Sequence, residues 1–247
     1  KKRDRNKIGP ILDAGGRPSE ADDEKVEIFN SVFASVFKPG PIHEELPPKM
    51  FDESQHNAIN TIEFPLEIVE RKLLCLKPFS APGPDGIYPT VLKECASVLK
   101  IPLSLMFEES MKTGRLPPDL KKTNITPIFK SCKKNIASNY RPINLSSVPA
   151  KIMESIIKDN LIRHLVENEL ILESQHGFLP GKSCTTNLLS YLNEVTSAMD
   201  KGIPFDVIMI DFRRAFDVVP FKLLIRKLEA HGIGGDLIKW LSDWTNG

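Results

Sequence analysis

"FDVIMIDFRRAFDVV", residues 205–219, is the stretch on which the reading of this chain turns. Val207, Ile208, Met209 and Ile210 form an unbroken apolar run rich in β-branched side chains. Such a run predicts a buried strand over 205–211. Asp211 closes it. A carboxylate after an apolar run is expensive unless something pairs with it, and the end of a rigid element is where a ligand is best presented. Two readings stay open on local sequence. Asp211 ligates a hard cation such as Mg²⁺, which prefers one or two carboxylates together with substrate phosphates. Alternatively it caps the "FRRAF" turn, or pairs with Arg213 or Arg214.

Upstream, "SQHGFLPGKSCTTNLL" (174–189) resembles a phosphate-cradling loop at first sight. A triphosphatase loop needs four residues between its first Gly and the Gly-Lys pair, so that successive backbone N–H groups wrap the phosphates. Only three residues separate Gly177 from Gly181, and His176 stands where the first Gly belongs. The loop also follows "KDNLIRHLVENELILE", which reads as a helix and not as a buried strand.

The chain of 247 residues is 41% hydrophobic, enough for a real core in one large or two small domains. No run of eighteen apolar residues occurs, so no membrane partner is expected. The first residues, "KKRDRNKIGP", include no initiator Met and no signal-peptide pattern, which reads as a stretch of a longer chain. Cys75, Cys95, Cys132 and Cys184 lie far apart with no Cys-x-x-Cys pair, which fits a reducing compartment and argues against a zinc site. A formal net charge of +1 hides an asymmetry. Residues 20–70 hold twelve acidic and three basic side chains; residues 111–151 hold nine basic ones against Asp119 alone. Block asymmetry of this kind marks either a polyanion-binding face or merely a solvated one.

The expected elements run as follows. Residues 1–18 form a flexible connector, and a helix follows Ser19. A second helix starts at Pro65 with Leu66, Val69, Leu73 and Leu76 on one face. "PFSAPGPDGI" is a rigid turn cluster. A long helix runs from Pro89 to about Thr113, kinked at Pro102 and stopped by Gly114. "TNITPIFK" and "YRPINL" pair as a hairpin carrying Lys130, Lys133, Lys134 and Arg141. A helix from Pro149 buries Ile152, Met153, Ile156, Ile157, Leu161 and Leu165, and a Thr-capped helix follows the 174–189 loop. Two more helices, near 220–231 and 235–245, complete the α+β reading.

Five stretches together carry a resemblance. "FDVIMIDFRRAFDVV" resembles the first catalytic block of reverse transcriptases, and "SNYRPINLSSVPAKIMESII" resembles the block upstream of it in non-LTR retrotransposons. "QHGFLPGKSCTTNLL" is similar to the intervening block, and "SAPGPDGIYPTVLK" and "LPPDLKKTNITPIFK" to the entry region of the same polymerases. They stand in the family's order over residues 60–245, closest to the CR1 and jockey-like class. The resemblance implies residues 1–60 as a connector, 61–204 as fingers and 205–247 as the start of the palm of a right-hand polymerase.

Roles follow from the same resemblance. Asp211 would be a ligand of two Mg²⁺ ions, assisted by the backbone carbonyl of Phe212; such ions sit about 3.5–4 Å apart. Phe216 would be the steric gate that excludes a 2′-hydroxyl from the incoming dNTP. Arg141 would clamp the triphosphate, because a guanidinium can bond two phosphate oxygens at once, and Lys130 would add a second charge. Gln175, Gly181 and Lys182 would border the nucleic-acid channel and touch the template backbone. RNA template, DNA primer and dNTP are the implied partners, and a nuclear and cytoplasmic ribonucleoprotein the implied setting. Asp217 reads as structural, capping the turn or helix after it. Leu179 and Leu120 depart from the family, which has Arg and Trp there.

The family takes its second carboxylates from a hairpin with aromatic-Ala-Asp-Asp, which is expected beyond Gly247. The one Ala-Asp-Asp here, Ala21-Asp22-Asp23, lacks a preceding apolar strand and reads as a decoy. The expectation is a polymerase fragment inactive alone, its apolar strand left without a partner. A nucleic-acid-binding module and an untasked retroelement relic are the alternatives.

Overall fold

The computed structural model describes residues 8–35, 58–212 and 215–246. Ile11–Leu12 (β1) and Pro18–Ser19 (β2) pair antiparallel, and Asp22–Ala34 forms α1. Asp22, Asp23 and Glu24 occupy its first turn, where carboxylates meet the positive end of the helix dipole. Residues 8–18 are therefore not the expected flexible connector. Asp13 folds the turn between the strands by accepting from the backbone N–H groups of Gly15 and Arg17 at 2.8 and 2.9 Å, and Ile11 is fully buried. Ser19 belongs to β2, so α1 starts three residues after it.

The main core is helical. It is built by α2 (Leu66–Leu74), α3 (Pro89–Glu94), α4 (Ala96–Thr113), α6 (Val148–Glu167) and α9 (Gly235–Thr245). Val69 and Leu73 of α2, Phe107 of α4, Met153 of α6 and Leu237 of α9 have no accessible surface. Phe64 packs on Phe107 with ring centroids 5.5 Å apart. Polar groups inside this core are paired, as burial demands. Ser104 Oγ donates to the Phe64 carbonyl at 2.6 Å, and Trp240 Nε1 donates to Ser110 Oγ at 3.0 Å. Leu66 stays exposed at the edge of α2, and Leu76 and Leu120 pack on the core from outside.

The expected helix over 89–113 is two helices. The break falls at Cys95, whose backbone (φ −94°, ψ 15°) leaves the helical region. α4 runs on through Pro102, which lies on its exposed side. Gly114 (φ 64°) ends α4 with the paired bonds of a Schellman turn: Gly114 N–H to the Met111 carbonyl and Arg115 N–H to the Ser110 carbonyl.

Two close approaches tie loops to this body. A Cβ on Gly83 would lie 2.5 Å from Ser147, so the Pro/Gly-rich loop can press against the start of α6 only as glycine. Gly235, at φ 57°, meets the Asn60 carbonyl in the same way, and Ile59 forms a parallel bridge with Ile233. The chain after residue 58 is thereby clasped to the segment before α9.

Pro118–Lys121 (α5) leads into Thr123–Phe129 (β3), which pairs antiparallel with Tyr140–Ser146 (β4). Cys184–Asp200 (α7) and Phe221–Ala230 (α8) complete the order. α7 opens one residue before the expected Thr cap: Ser183 and Thr186 form a reciprocal capping box. Helices with short antiparallel strands agree with the α+β expectation. The strand expected over 205–211 is absent. These residues run without a strand partner, since the sheets among the described residues are β1–β2 and β3–β4. An extended segment without a ladder keeps its backbone and side chains in water, and Ile208, Met209 and Ile210 are indeed 79–87% exposed. Among the described residues, no helix is long and apolar enough to cross a membrane.

Candidate functional site

The β3–β4 hairpin decides where its charges point. Phe129 stands opposite Tyr140 and Ile128 opposite Arg141. Successive side chains of a strand face opposite ways. Phe129 and Tyr140 therefore share one face, and Arg141 lies on the other. Lys130 follows Phe129, and its N–H donates to the Asn139 carbonyl at 3.0 Å, which carries the pairing one step past β3. Lys130 thus falls on Arg141's side. A 3₁₀ turn, Ala137–Asn139, closes the tip, where Asn139 Nδ2 donates to the Lys133 carbonyl at 2.9 Å.

On that side lies a cleft of about 490 Å³ lined by Lys130, Ser131, Ser138, Asn139, Arg141, Asp211 and Phe212. The end of the 205–211 run thus meets the cationic face of the hairpin, and Asp211 shares the cleft with Lys130 and Arg141. Two cations stand against one carboxylate here. Ser131, Ser138 and Asn139 add hydroxyl and amide groups. Such a lining suits a ligand with several anionic oxygens.

The same donor set is poorly matched to a pair of Mg²⁺ ions. Asp211 is the one carboxylate in the lining, and Lys130 and Arg141 share the space with it. Among the described residues, no three His, Cys, Asp or Glu side chains gather in a group fit for a metal. One carboxylate beside two cations does not fit two divalent ions.

The other expected site residues lie elsewhere. Phe216 is exposed and stands edge-on to Phe178, with centroids 5.9 Å apart. It does not line the cleft, and neither do Gln175, Gly181 or Lys182. Those three belong to the loop before α7. Lys182 Nζ donates to the Glu173 carbonyl, and His176 Nδ1 meets Thr186 Oγ1 at 2.9 Å. Gly181 (φ 74°) and, unusually for a side chain, Phe178 (φ 63°) hold the left-handed conformation. The loop is thus shaped by its own bonds and is not arranged as a phosphate loop. Asp217 lies in the turn before α8 but makes no capping bond to that helix, whose N-cap is Pro220. Ala21-Asp22-Asp23 forms the acidic start of α1, with Ala21 at its N-cap. The four cysteines are free and exposed. Arg213 and Arg214 lie outside the described residues.

Ser131, Ser138 and Asn139 were not singled out from the sequence. Their nearness to Lys130 and to "YRP" was the one available signal, because a hairpin tip brings its flanks together.

Residues 130–246 match the family described as reverse transcriptase (RNA-dependent DNA polymerase). Among curated proteins, the chain is 24% identical over 246 residues to the "Transposon TX1 uncharacterized 149 kDa protein" of Xenopus laevis, an overlap covering 98% of this chain and 19% of that protein. It is 26% identical over 234 residues to the "Probable RNA-directed DNA polymerase from transposon BS" of Drosophila melanogaster, covering 89% of this chain and 25% of that protein. It is also 26% identical, over 62% of this chain and 20% of the other, to the "Retrovirus-related Pol polyprotein from type-1 retrotransposable element R2" of Popillia japonica. The chain spans no more than a quarter of the length of these relatives.

Proposed function

We propose that this relative of the reverse transcriptases of non-LTR retrotransposons supplies the nucleotide-facing fingers and the first palm segment of an RNA-directed DNA polymerase. One observation carries the reading: Lys130 and Arg141 share a cleft with Asp211 and Phe212. These residues lie far apart in sequence, and nothing in their local chemistry requires them to meet.

The roles within the reading follow from charge and shape. Arg141 holds the triphosphate of the incoming dNTP with two parallel N–H bonds, and Lys130 adds a point charge. Asp211 and the Phe212 carbonyl face the same phosphates from across the cleft. In the family two Mg²⁺ ions would neutralise charge there; Asp211, the one carboxylate lining the cleft among the described residues, supplies too few ligands to hold them. Phe216 and the 174–189 loop, with Gln175, Gly181 and Lys182, do not line the cleft, and their proposed roles as sugar gate and template track rest on the family motifs alone. We propose accordingly that this stretch alone binds a triphosphate but does not extend a primer. Its proposed partners are an RNA template and a DNA primer, and its proposed setting is a retroelement ribonucleoprotein of nucleus and cytoplasm.

Equilibrium binding of dTTP tests this. Charge-assisted hydrogen bonds are worth roughly 1.5–3 kcal/mol, so Arg141→Ala should weaken dTTP about tenfold to a hundredfold. Asp211→Asn should not weaken it, because removing an anion from the cleft relieves repulsion. Absence of dTTP binding, or binding indifferent to Arg141, would overturn the proposal. RNA binding indifferent to dTTP would favour a nucleic-acid-binding module instead.

A further inference from the structure

The cationic face of the hairpin has a reverse side, and that side is closed by the N-terminal segment. Ile11, Phe29, Ala137 and Tyr140 form a second buried cluster, joined by Ile8, Ile28, Val32, Phe33 and Phe129. It shares no residue with the main core. Phe29 of α1 lies at its centre. Its ring meets Tyr140 edge-on at 5.0 Å and lies nearly parallel to Phe33 at 5.6 Å. Tyr140 meets Phe129 edge-on at 5.5 Å, and its hydroxyl donates to the Lys134 carbonyl at 2.7 Å. Leu12 N–H donates to the Asn135 carbonyl at 2.8 Å, joining β1 to the hairpin tip. Buried Lys25 ties α1 back to the entering chain through the Ile8 carbonyl at 3.2 Å and Asp22 at 3.0 Å.

A two-stranded hairpin is marginal in water on its own. A shift of one residue would turn every side chain to the opposite face. Here that would exchange Arg141 with Tyr140 and send the guanidinium away from Asp211. Burying Tyr140 under Phe29, with half-buried Phe129 packed on the same ring, opposes the exchange.

We propose that residues 8–35 are a positioning element of the cleft: Phe29 clamps Tyr140, against which Phe129 packs, on one face of the hairpin and so fixes Lys130 and Arg141 on the other. The proposal rests on the triphosphate reading of the cleft, and Phe29 is a positioning residue that touches no ligand. The segment is more than a link between domains, because it sets the register on which the cleft depends.

Two readouts on the 247-residue protein test it, with inorganic tripolyphosphate as the probe. Amide hydrogen exchange should quicken about tenfold or more across 125–145 in Phe29→Ala, while amides of α2, α4 and α9 keep their protection. Tripolyphosphate should bind about tenfold more weakly in the same variant, and Phe29→Leu should restore most of both effects. A purely local structural role would alter exchange and leave affinity unchanged. If the wild type binds tripolyphosphate and Arg141→Ala weakens it while Phe29→Ala changes neither readout, the positioning role is wrong and the cleft reading stands. If the wild type does not bind, the cleft reading falls, and the positioning role with it. Should Phe29→Ala unfold the chain, Tyr140→Leu decides: it removes the ring on which Phe29 packs and keeps an apolar side chain in the cluster. Faster exchange at 131–139 with weaker binding supports the clamp, and no change in either refutes it.

Discussion

Between residues 58 and 164, apolar side chains close on one another: Phe64, Val69, Leu73, Phe107 and Met153 retain no accessible surface. Between residues 165 and 230, no described residue is buried. Both stretches are rich in Leu, Ile and Phe, so composition does not separate them. Partners do. α2, α4, α6 and α9 present apolar faces to each other, whereas α7 buries none of its residues and leaves Leu188, Leu189 and Leu192 in water. The second stretch nevertheless holds the 174–189 loop, Asp211 and Phe216. The most recognisable chemistry of the chain thus sits where its own packing is weakest. Recognition motifs are fixed by what they must touch, and burial is fixed by what else is present to cover them.

Truncations at matched apolar positions would break this contrast most sharply. Phe107→Ala deletes a fully buried ring from the main core and should cost about 3–5 kcal/mol of stability. Met209→Ala removes an 87% exposed side chain of similar hydrophobicity and should change stability by less than about 0.5 kcal/mol. Urea unfolding of both variants measures the difference. A loss of more than about 2 kcal/mol in Met209→Ala would mean that the 205–212 run is packed in solution, and the comparison would fail.

Local opening is the next test. Regions with few buried apolar contacts open at low free-energy cost. Trypsin should therefore cut first after Lys182 and Lys201, in the unburied stretch. Lys72, which is engaged by Ser155 at 2.7 Å and by Asp159 at 2.5 Å, should be cut late. Mass spectrometry of early fragments reads the order. Early cleavage in α2 or α4 would contradict it.

Much of this architecture was legible because it rests on short-range rules. The hairpin, the Gly114 stop and the apolar stripe of α6 each follow from periodicity or turn chemistry within about twenty residues. The meeting of Asp211 with Lys130 and Arg141 was legible only through the order of five motifs, since no spacing rule connects positions so far apart. Two errors have physical causes. The strand over 205–211 was read from side chains, yet a strand exists only with a ladder partner. Gly9, Pro10, Gly15, Gly16 and Pro18 suggest a flexible connector, yet Gly15 and Gly16 make the tight β1–β2 turn and Pro18 lies in β2, a pairing that lets Ile11 reach the cluster around Phe29. Turn residues mark where a chain bends and say nothing of whether the bend is packed.

The smallest expected effect lies at a polar tie of the packed region. Asp243 joins α9 to the segment after α4: its carboxylate accepts from the Leu116 N–H at 2.8 Å and pairs with Lys121 Nζ at 3.0 Å. Burial works to raise its pKa. The Leu116 N–H, the Lys121 bond and the charges of Lys121 and Arg115 outweigh that and hold it below the ordinary carboxylate value. A group depressed in the folded state adds stability above its unfolded-state pKa, and that stability fades as pH falls through the folded-state value. Asp243→Asn should therefore cost about 1 kcal/mol at neutral pH, after discounting for partial exposure. The gap between wild type and variant should narrow once pH drops below about 4 and close further down. Parallel thermal melts between neutral and acidic pH measure it. A gap that widened on acidification would mean that the carboxylate is destabilising in the fold, and that the Lys121 bond to the Asp243 backbone carbonyl, at 2.9 Å, holds α9 to the 115–121 segment without it.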